Sequence, residues 1–145
     1  MPDEAAVDLP ATAAELRMAV KLLAQRLRAQ ARPGDLSWSQ ESVVSLLDRQ
    51  GPLTVTELAR VEGVRSQSIG STVASLEALG LVAREPHPTD GRQALITLTE
   101  QGNQALAQAR SVKQSWLVGL LGERLTPAEQ QTLRTGVELL LRLTR

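Results

Sequence analysis

The side chains of this chain that could do chemistry concentrate between Arg65 and Arg92, and they are hydrogen-bonding groups and cations rather than nucleophiles or metal ligands. In a helical pattern that starts at Ser66, Gln67, Ser68, Gly70, Ser71, Thr72 and Ser75 fall on the face opposite Ile69, Val73 and Leu76. A Gln carboxamide can pair bidentately with adenine N6 and N7, and Ser or Thr hydroxyls bond base edges or phosphates. Small polar side chains near the start of a helix enter a major groove without steric conflict. The free amides of the first turn carry a partial positive charge that suits a phosphate. The plain alternative is a surface helix that Ser, Gln and Thr merely solvate. Charge favours the first reading: no acid stands between Arg65 and Glu77, although 16 are spread over the chain. A helix that faces phosphates must exclude carboxylates.

The neighbours of this segment leave alternatives. Gly70 costs a helix about 1 kcal/mol against Ala, so it calls for a close approach, either to a groove wall or to the preceding helix. Arg65, just before the helix, reaches a phosphate or is ordinary solvent-exposed charge. Arg84 reaches a phosphate or pairs with Glu85 or Asp90. Arg92 is the sharper case, because a guanidinium at a hairpin tip can enter a minor groove, whose negative potential deepens as it narrows. Asp90 is repelled by DNA unless something ties it; it accepts from Arg92 or from turn amides and fixes the tip, with Gly91 as the turn-former. His87 is a phosphate neighbour or simply exposed, and as the one histidine of the chain it makes a poor metal site.

These residues need elements to position them. Capping boxes, in which a Ser/Thr hydroxyl and a Glu/Gln three residues on satisfy each other's amides, are predicted at Thr12 with Glu15, Ser37 with Gln40, Thr54 with Glu57 and Thr126 with Glu129. They open helices over about 13–31, 38–49, 55–62 and from 127. Pro127 suits the first helical position, where its missing N–H costs nothing. A further helix starts near Ser66 with Ile69, Val73, Leu76 and Leu79 at helical spacing, and Gly80 closes it. Leu81–Glu85 and Arg92–Leu98 read as strands, joined by the stiffened loop Pro86-His87-Pro88-Thr89-Asp90-Gly91, in which Asp-Gly favours a tight turn. Another helix covers about 100–122. Residues 36–98 thus form a winged helix-turn-helix lobe. Leu16, Val20, Leu23 and Leu27 near one end, and Leu133, Val137, Leu140 and Leu141 near the other, make apolar faces. They read most simply as a shared dimerisation region over 11–32 and 100–145; the alternative is that they cap their own core.

Composition narrows the classes. The 145 residues contain no Cys, no Phe, no Tyr and two Trp, so disulfides, zinc fingers and thiol chemistry are excluded. The core must be mostly Leu, Val and Ala, and Trp38 and Trp116 either fill gaps in it or line a ligand pocket, the gaps being the simpler reading. Sixteen Lys and Arg balance sixteen Asp and Glu, which argues against bulk electrostatic binding to nucleic acid. It leaves room for a few well-placed cations. No run approaches the roughly 20 apolar residues of a membrane span, and the acidic Met1-Pro2-Asp3-Glu4 start lacks the order of a signal peptide, so a cytoplasmic protein is expected. No phosphate loop, dinucleotide fingerprint or nucleophile–base pair is visible, so no enzyme and no cofactor are expected.

Taken together, Val64-Arg65-Ser66-Gln67-Ser68-Ile69, Leu76-Glu77-Ala78-Leu79-Gly80-Leu81-Val82-Ala83-Arg84, the wing Pro86-His87-Pro88-Thr89-Asp90-Gly91-Arg92 and the exit Leu98-Thr99-Glu100-Gln101-Gly102 resemble the MarR family of bacterial transcriptional regulators. The resemblance spans about residues 36–104 by motif, and the helix order fits nearly the whole chain. It implies a mainly α fold with a small β-hairpin wing, a homodimer, and double-stranded DNA as partner, read as a pseudo-palindrome. It places base contacts on Ser66 to Thr72 and a minor-groove contact at Arg92, with Asp90 as its acidic partner. Many members are repressors released by small aromatic ligands; the oxidant-sensing branch needs cysteine, which this chain lacks. Arg65 departs from relatives with a hydroxyl or acidic cap, and Ser66 is the substitute cap expected here. A winged helix used only for protein–protein contact is the competing expectation.

Overall fold

Caps decide where the helices begin. A computed structural model describes residues 6–145, so the Met1–Glu4 start lies outside the described residues. The elements are α1 (Leu9–Arg28), α2 (Trp38–Gln50), α3 (Val55–Glu62), α4 (Ser66–Ala78), β1 (Val82–Pro86), β2 (Ala94–Leu98), α5 (Glu100–Arg124) and α6 (Pro127–Arg142). The class is the expected one, mainly helical with one antiparallel two-stranded hairpin, in which Val82 faces Leu98 and Pro86 faces Ala94. Ser37–Gln40 and Thr126–Glu129 form reciprocal capping boxes. At α3 the Thr54 hydroxyl accepts from the Glu57 amide at 3.2 Å.

The first box fails. Helix α1 starts at Leu9, capped by Asp8, whose carboxylate accepts from the Ala11 amide at 3.1 Å. Thr12 lies inside the helix and donates its hydroxyl back to the Asp8 carbonyl at 2.8 Å. Asp8 is an equally good cap and stands one turn earlier, and Pro10 in the first turn favours that start. The helix also ends at Arg28, ahead of the Arg32-Pro33-Gly34 stop.

The chain divides into two compact units, the first ending at Ala109 and the second running Arg110–Arg145. In the first, α2, α3, α4 and the hairpin close around Val44, Leu46, Leu58, Val73, Leu76 and Ile96, all sealed from water, and Leu106 of α5 joins them. Burial of each such side chain is worth about 1.5–3 kcal/mol, which is why these elements hold as one lobe. Leu53, just ahead of α3, makes a two-bond bridge with Ile96, so the wing is tied to the chain that enters the helix-turn-helix. Gly63 ends α3 in the left-handed region at φ 67°, with the Val64 amide reaching back to the Ala59 carbonyl at 3.1 Å. This left-handed cap sets the angle at which α4 departs.

Leaving the wing, Thr99 locks the next helix. Its hydroxyl donates to the Gly80 carbonyl at 2.7 Å and accepts from the Gly102 amide at 3.1 Å. Gly102 sits so close to the Leu81 backbone that a Cβ there would lie 2.1 Å from the Leu81 carbonyl oxygen. The Leu-Thr-x-x-Gly exit is therefore a packing requirement.

Two core assignments change. Leu79 is 60% exposed at the C-cap of α4, past the last turn that the core covers. Trp38 is 51% exposed and fills no core gap. The Arg28 guanidinium lies over its ring at 4.0 Å from the centroid, a cation–π contact at the surface. Helix α1 buries none of its residues. In the second unit, α6 buries none either, and a cleft of about 610 Å³ is lined by Val118, Leu121, Leu133 and Val137. The Thr126 amide and hydroxyl beside Glu129 hold its carboxyl below the usual carboxylate range.

Candidate nucleic-acid interface

Helix α4 gets its shape from its buried stripe, Ile69, Val73 and Leu76, packed among α2, α3 and β1. Its outward residues follow from that. Ser66, Gln67, Ser68 and Ser71 are exposed, and Gly70 and Thr72 are half-buried. The expected substitute cap at Ser66 does not form. Ser66 is the first helical residue, Arg65 is the N-cap, and no side chain caps the end. Arg65 has no hydroxyl or carboxylate to accept first-turn amides; the Ser68 amide turns to the Arg65 carbonyl at 3.0 Å, and those of Ser66 and Gln67 stay available to an outside acceptor. A phosphate would meet both that partial positive charge and the exposed Arg65 beside it.

Deeper along the helix the hydroxyls are used internally. Thr72 donates to the Ser68 carbonyl at 3.1 Å, and Ser75 donates to the Thr72 carbonyl at 2.6 Å. Gln40, which also closes the cap of α2, donates from its carboxamide to Ser75 at 3.1 Å. This cross-helix bond holds α4 against the start of α2, a function for Gln40 that local sequence patterns do not signal. Gly70 loses one of its two readings, because a Cβ there would meet nothing within 4 Å. No neighbouring helix requires the glycine.

Arg84 takes neither expected carboxylate. Its Nε lies 2.6 Å from Oε2 of Glu77, a pair about half exposed on both sides. The reason is geometric. Glu77 sits in the last turn of α4, and the chain turns at Gly80 so that β1 packs back against α4, which brings residues seven apart together. The pair braces strand β1 to α4 and offsets a charge that the sequence had offered to phosphate.

At the wing tip, the Arg92 amide donates to Asp90 Oδ1 at 3.0 Å, and the Gln93 carboxamide donates to Asp90 Oδ2 at 3.2 Å. The turn amide, not the Arg92 guanidinium, is thus what ties Asp90. Gln93 is a second tie that sequence reasoning passed over. His87 is half-buried, and its Nδ1 accepts from the Asp90 amide at 3.0 Å and the Thr89 amide at 3.2 Å. Gly91 is no left-handed turn-former: its φ is not positive, and a Cβ there would meet nothing within 4 Å. Side-chain acceptors shape this tip, as in Asx-type turns, which frees it from needing glycine geometry. Among the described residues the exposed guanidinium of Arg92 has no ion pair.

The α4 end carries no capping side chain and no carboxylate, and the hairpin braced by Asp90 carries an arginine without an ion pair among the described residues. Comparison with known proteins gives the family. A MarR family profile matches residues 35–93. An uncharacterized HTH-type transcriptional regulator of Mycobacterium leprae is 38% identical over 131 residues, covering 90% of this chain and 91% of the relative. The chain belongs to the MarR family of DNA-binding transcriptional regulators. A MarR-type fold extends over nearly all of it: a transcriptional regulator of Pseudomonas aeruginosa superimposes with a TM-score of 0.80 at 31% identity, covering 97% of this chain and 99% of that one. The apo form of MarR from Escherichia coli superimposes at a TM-score of 0.75 with 24% identity, covering 94% and 98%, a likeness in fold. The MarR family is one of regulators rather than enzymes, and among the described residues no helix is long and apolar enough to cross a membrane.

Proposed function

We propose that this MarR-family regulator works in the bacterial cytoplasm, on the nucleoid, as a homodimer that represses from a pseudo-palindromic operator. Each copy lays α4 in the major groove and inserts Arg92 into the adjoining minor groove. Gln67, Ser68, Ser71 and Thr72 face base edges and sugar–phosphate, and Gly70 lets the groove wall approach. Ser66 and Arg65 meet a phosphate at the helix end. His87 and Asp90 shape the tip, and Arg84 serves through Glu77. The observation that carries this reading is the pairing of an uncapped, carboxylate-free α4 end with an unpaired Arg92 on a braced tip.

Dimerisation draws on the apolar faces of α1 and α6, which hold Leu23, Leu133, Val137 and Leu140 partly exposed in the single chain. Apolar burial of about 25 cal/mol per Å² over an interface of standard size, roughly 1,600 Å², sustains such a dimer. Two recognition helices about 34 Å apart then dock together on one face of the duplex. A small aromatic ligand that prefers another spacing lowers DNA affinity by its differential affinity for the two forms.

The test is a titration of duplex DNA captured from the organism's own promoters, repeated over a salt series. A specific site with a steep negative salt slope is expected. Arg92→Ala weakens that binding by about 1–3 kcal/mol and leaves the dimer intact. Absence of duplex binding at low salt would overturn this reading in favour of a protein–protein module, the use that zero net charge fits best.

A further inference from the structure

We infer that His87 is a positioning residue for Arg92, acting as an uncharged hydrogen-bond acceptor at the base of the wing tip rather than as a cation beside a phosphate. The inference rests on the proposed minor-groove role of Arg92 and assigns the device that makes that role work. Backbone N–H groups can only donate. Because the Thr89 and Asp90 amides both point at Nδ1, at 3.2 and 3.0 Å, that nitrogen must be the unprotonated one, and the ring proton of the neutral imidazole sits on Nε2.

The sequence around the ring shows why an acceptor is needed. Pro86 and Pro88 fix two backbone φ angles, and Pro88 offers no amide of its own. Beyond Pro88 the next amides in the turn are those of Thr89 and Asp90, and His87 takes both. With its amide fixed, Asp90 is oriented to take the Arg92 amide at 3.0 Å and the Gln93 carboxamide at 3.2 Å. The Gln93 amide closes the turn on the Asp90 carbonyl at 3.1 Å. The chain of contacts runs from His87 through Asp90 to the backbone of Arg92. Side chains such as Asn do the same work in Asx turns, accepting from amides two and three residues on. A histidine here is an Asx acceptor made with a ring.

The experiment measures operator affinity of the full-length protein for His87→Ala, His87→Asn, Arg92→Ala and the double variant His87→Ala/Arg92→Ala. His87→Ala should lose about fivefold in affinity, the scale of one net hydrogen bond, with thermal unfolding and dimer unchanged. His87→Asn should restore most of that loss. The double variant should bind like Arg92→Ala alone, because a residue that acts through another is non-additive with it. Additive losses, or failure of Asn to rescue, would make His87 a direct contact and overturn the inference. An unaltered His87→Ala beside a weakened Arg92→Ala overturns the inference and leaves the wing reading standing; no effect of Arg92→Ala removes both. Should His87→Ala fold poorly, the imidazole ¹⁵N spectrum of the unsubstituted protein decides. Nδ1 unprotonated in the neutral ring supports the assignment, and Nδ1 protonated overturns it.

Discussion

Val73 and Leu76 of α4 lie at helical spacing and are sealed from water, whereas Leu133 and Val137 of α6, also at helical spacing, are 38% and 42% exposed. The local chemistry runs the other way. Helix α6 has a complete capping box and Pro127 in its first turn, while α4 has no capping side chain and carries Gly70 in its body. Helix α4 is weak by local rules and firm by packing; α6 is firm by local rules and keeps its apolar stripe partly exposed. In the function proposed above, each deficit has a use: the uncapped end and missing side chain on α4 leave amides and space for DNA, and the exposed stripe on α6 leaves area for a second copy of the chain.

Removing residues 126–145 takes away that stripe and is the harshest probe of the contrast. Monomers or insoluble protein are expected in light scattering, and a well-behaved dimer would take α6 out of the interface. Gly102→Ala attacks the packed side instead. Its methyl would meet the Leu81 carbonyl oxygen, which is backbone and cannot swing away, so a loss of about 3 kcal/mol is expected in thermal or chemical denaturation. An unaltered transition would show that α5 can slide off the wing strand freely.

Gly70→Ala separates fold from function most cleanly. Nothing in the chain blocks the methyl, so stability should rise by up to about 1 kcal/mol while operator affinity falls severalfold. If both rise, the groove does not come close at that position. The smallest effect belongs to Glu129. Its folded-state carboxyl titrates below its ordinary range because Thr126 donates to it. The cap therefore contributes stability above the ordinary carboxylate range and loses it as pH falls through the lowered value. Glu129→Gln should flatten that acid-side decline in helix content followed by circular dichroism; an identical decline in the variant would show the cap does not matter to α6.

The fold was readable wherever its cause is local. Ser37 with Gln40 and Thr126 with Glu129 announce helix starts because a cap satisfies amides a few residues away. Ile69, Val73 and Leu76 announce a buried face because helical phase is a property of spacing. Thr12 misled because two acceptable caps stood a turn apart, and the choice between them falls to Asp8. Within the candidate site, the residue types on α4 and the brace on Arg92 were legible, but the partners were not. Glu77 with Arg84, Gln40 with Ser75, and Leu53 with Ile96 join residues whose proximity depends on how chain segments return, and no short-range spacing encodes that.

By itself the sequence determined the helices, the hairpin, the carboxylate-free segment from Ser66 to Leu76 and the cation at Arg92, because propensity, capping and charge act over a few residues. Only the tertiary structure decided which cations remain free and what shapes the tip. It paired Arg84 with Glu77, set Arg28 over Trp38, and gave the turn to His87 and Asp90 instead of Gly91. Those outcomes depend on distances of a few ångströms between groups far apart along the chain or aimed by a fixed loop, since hydrogen bonds and ion pairs fall away steeply beyond contact.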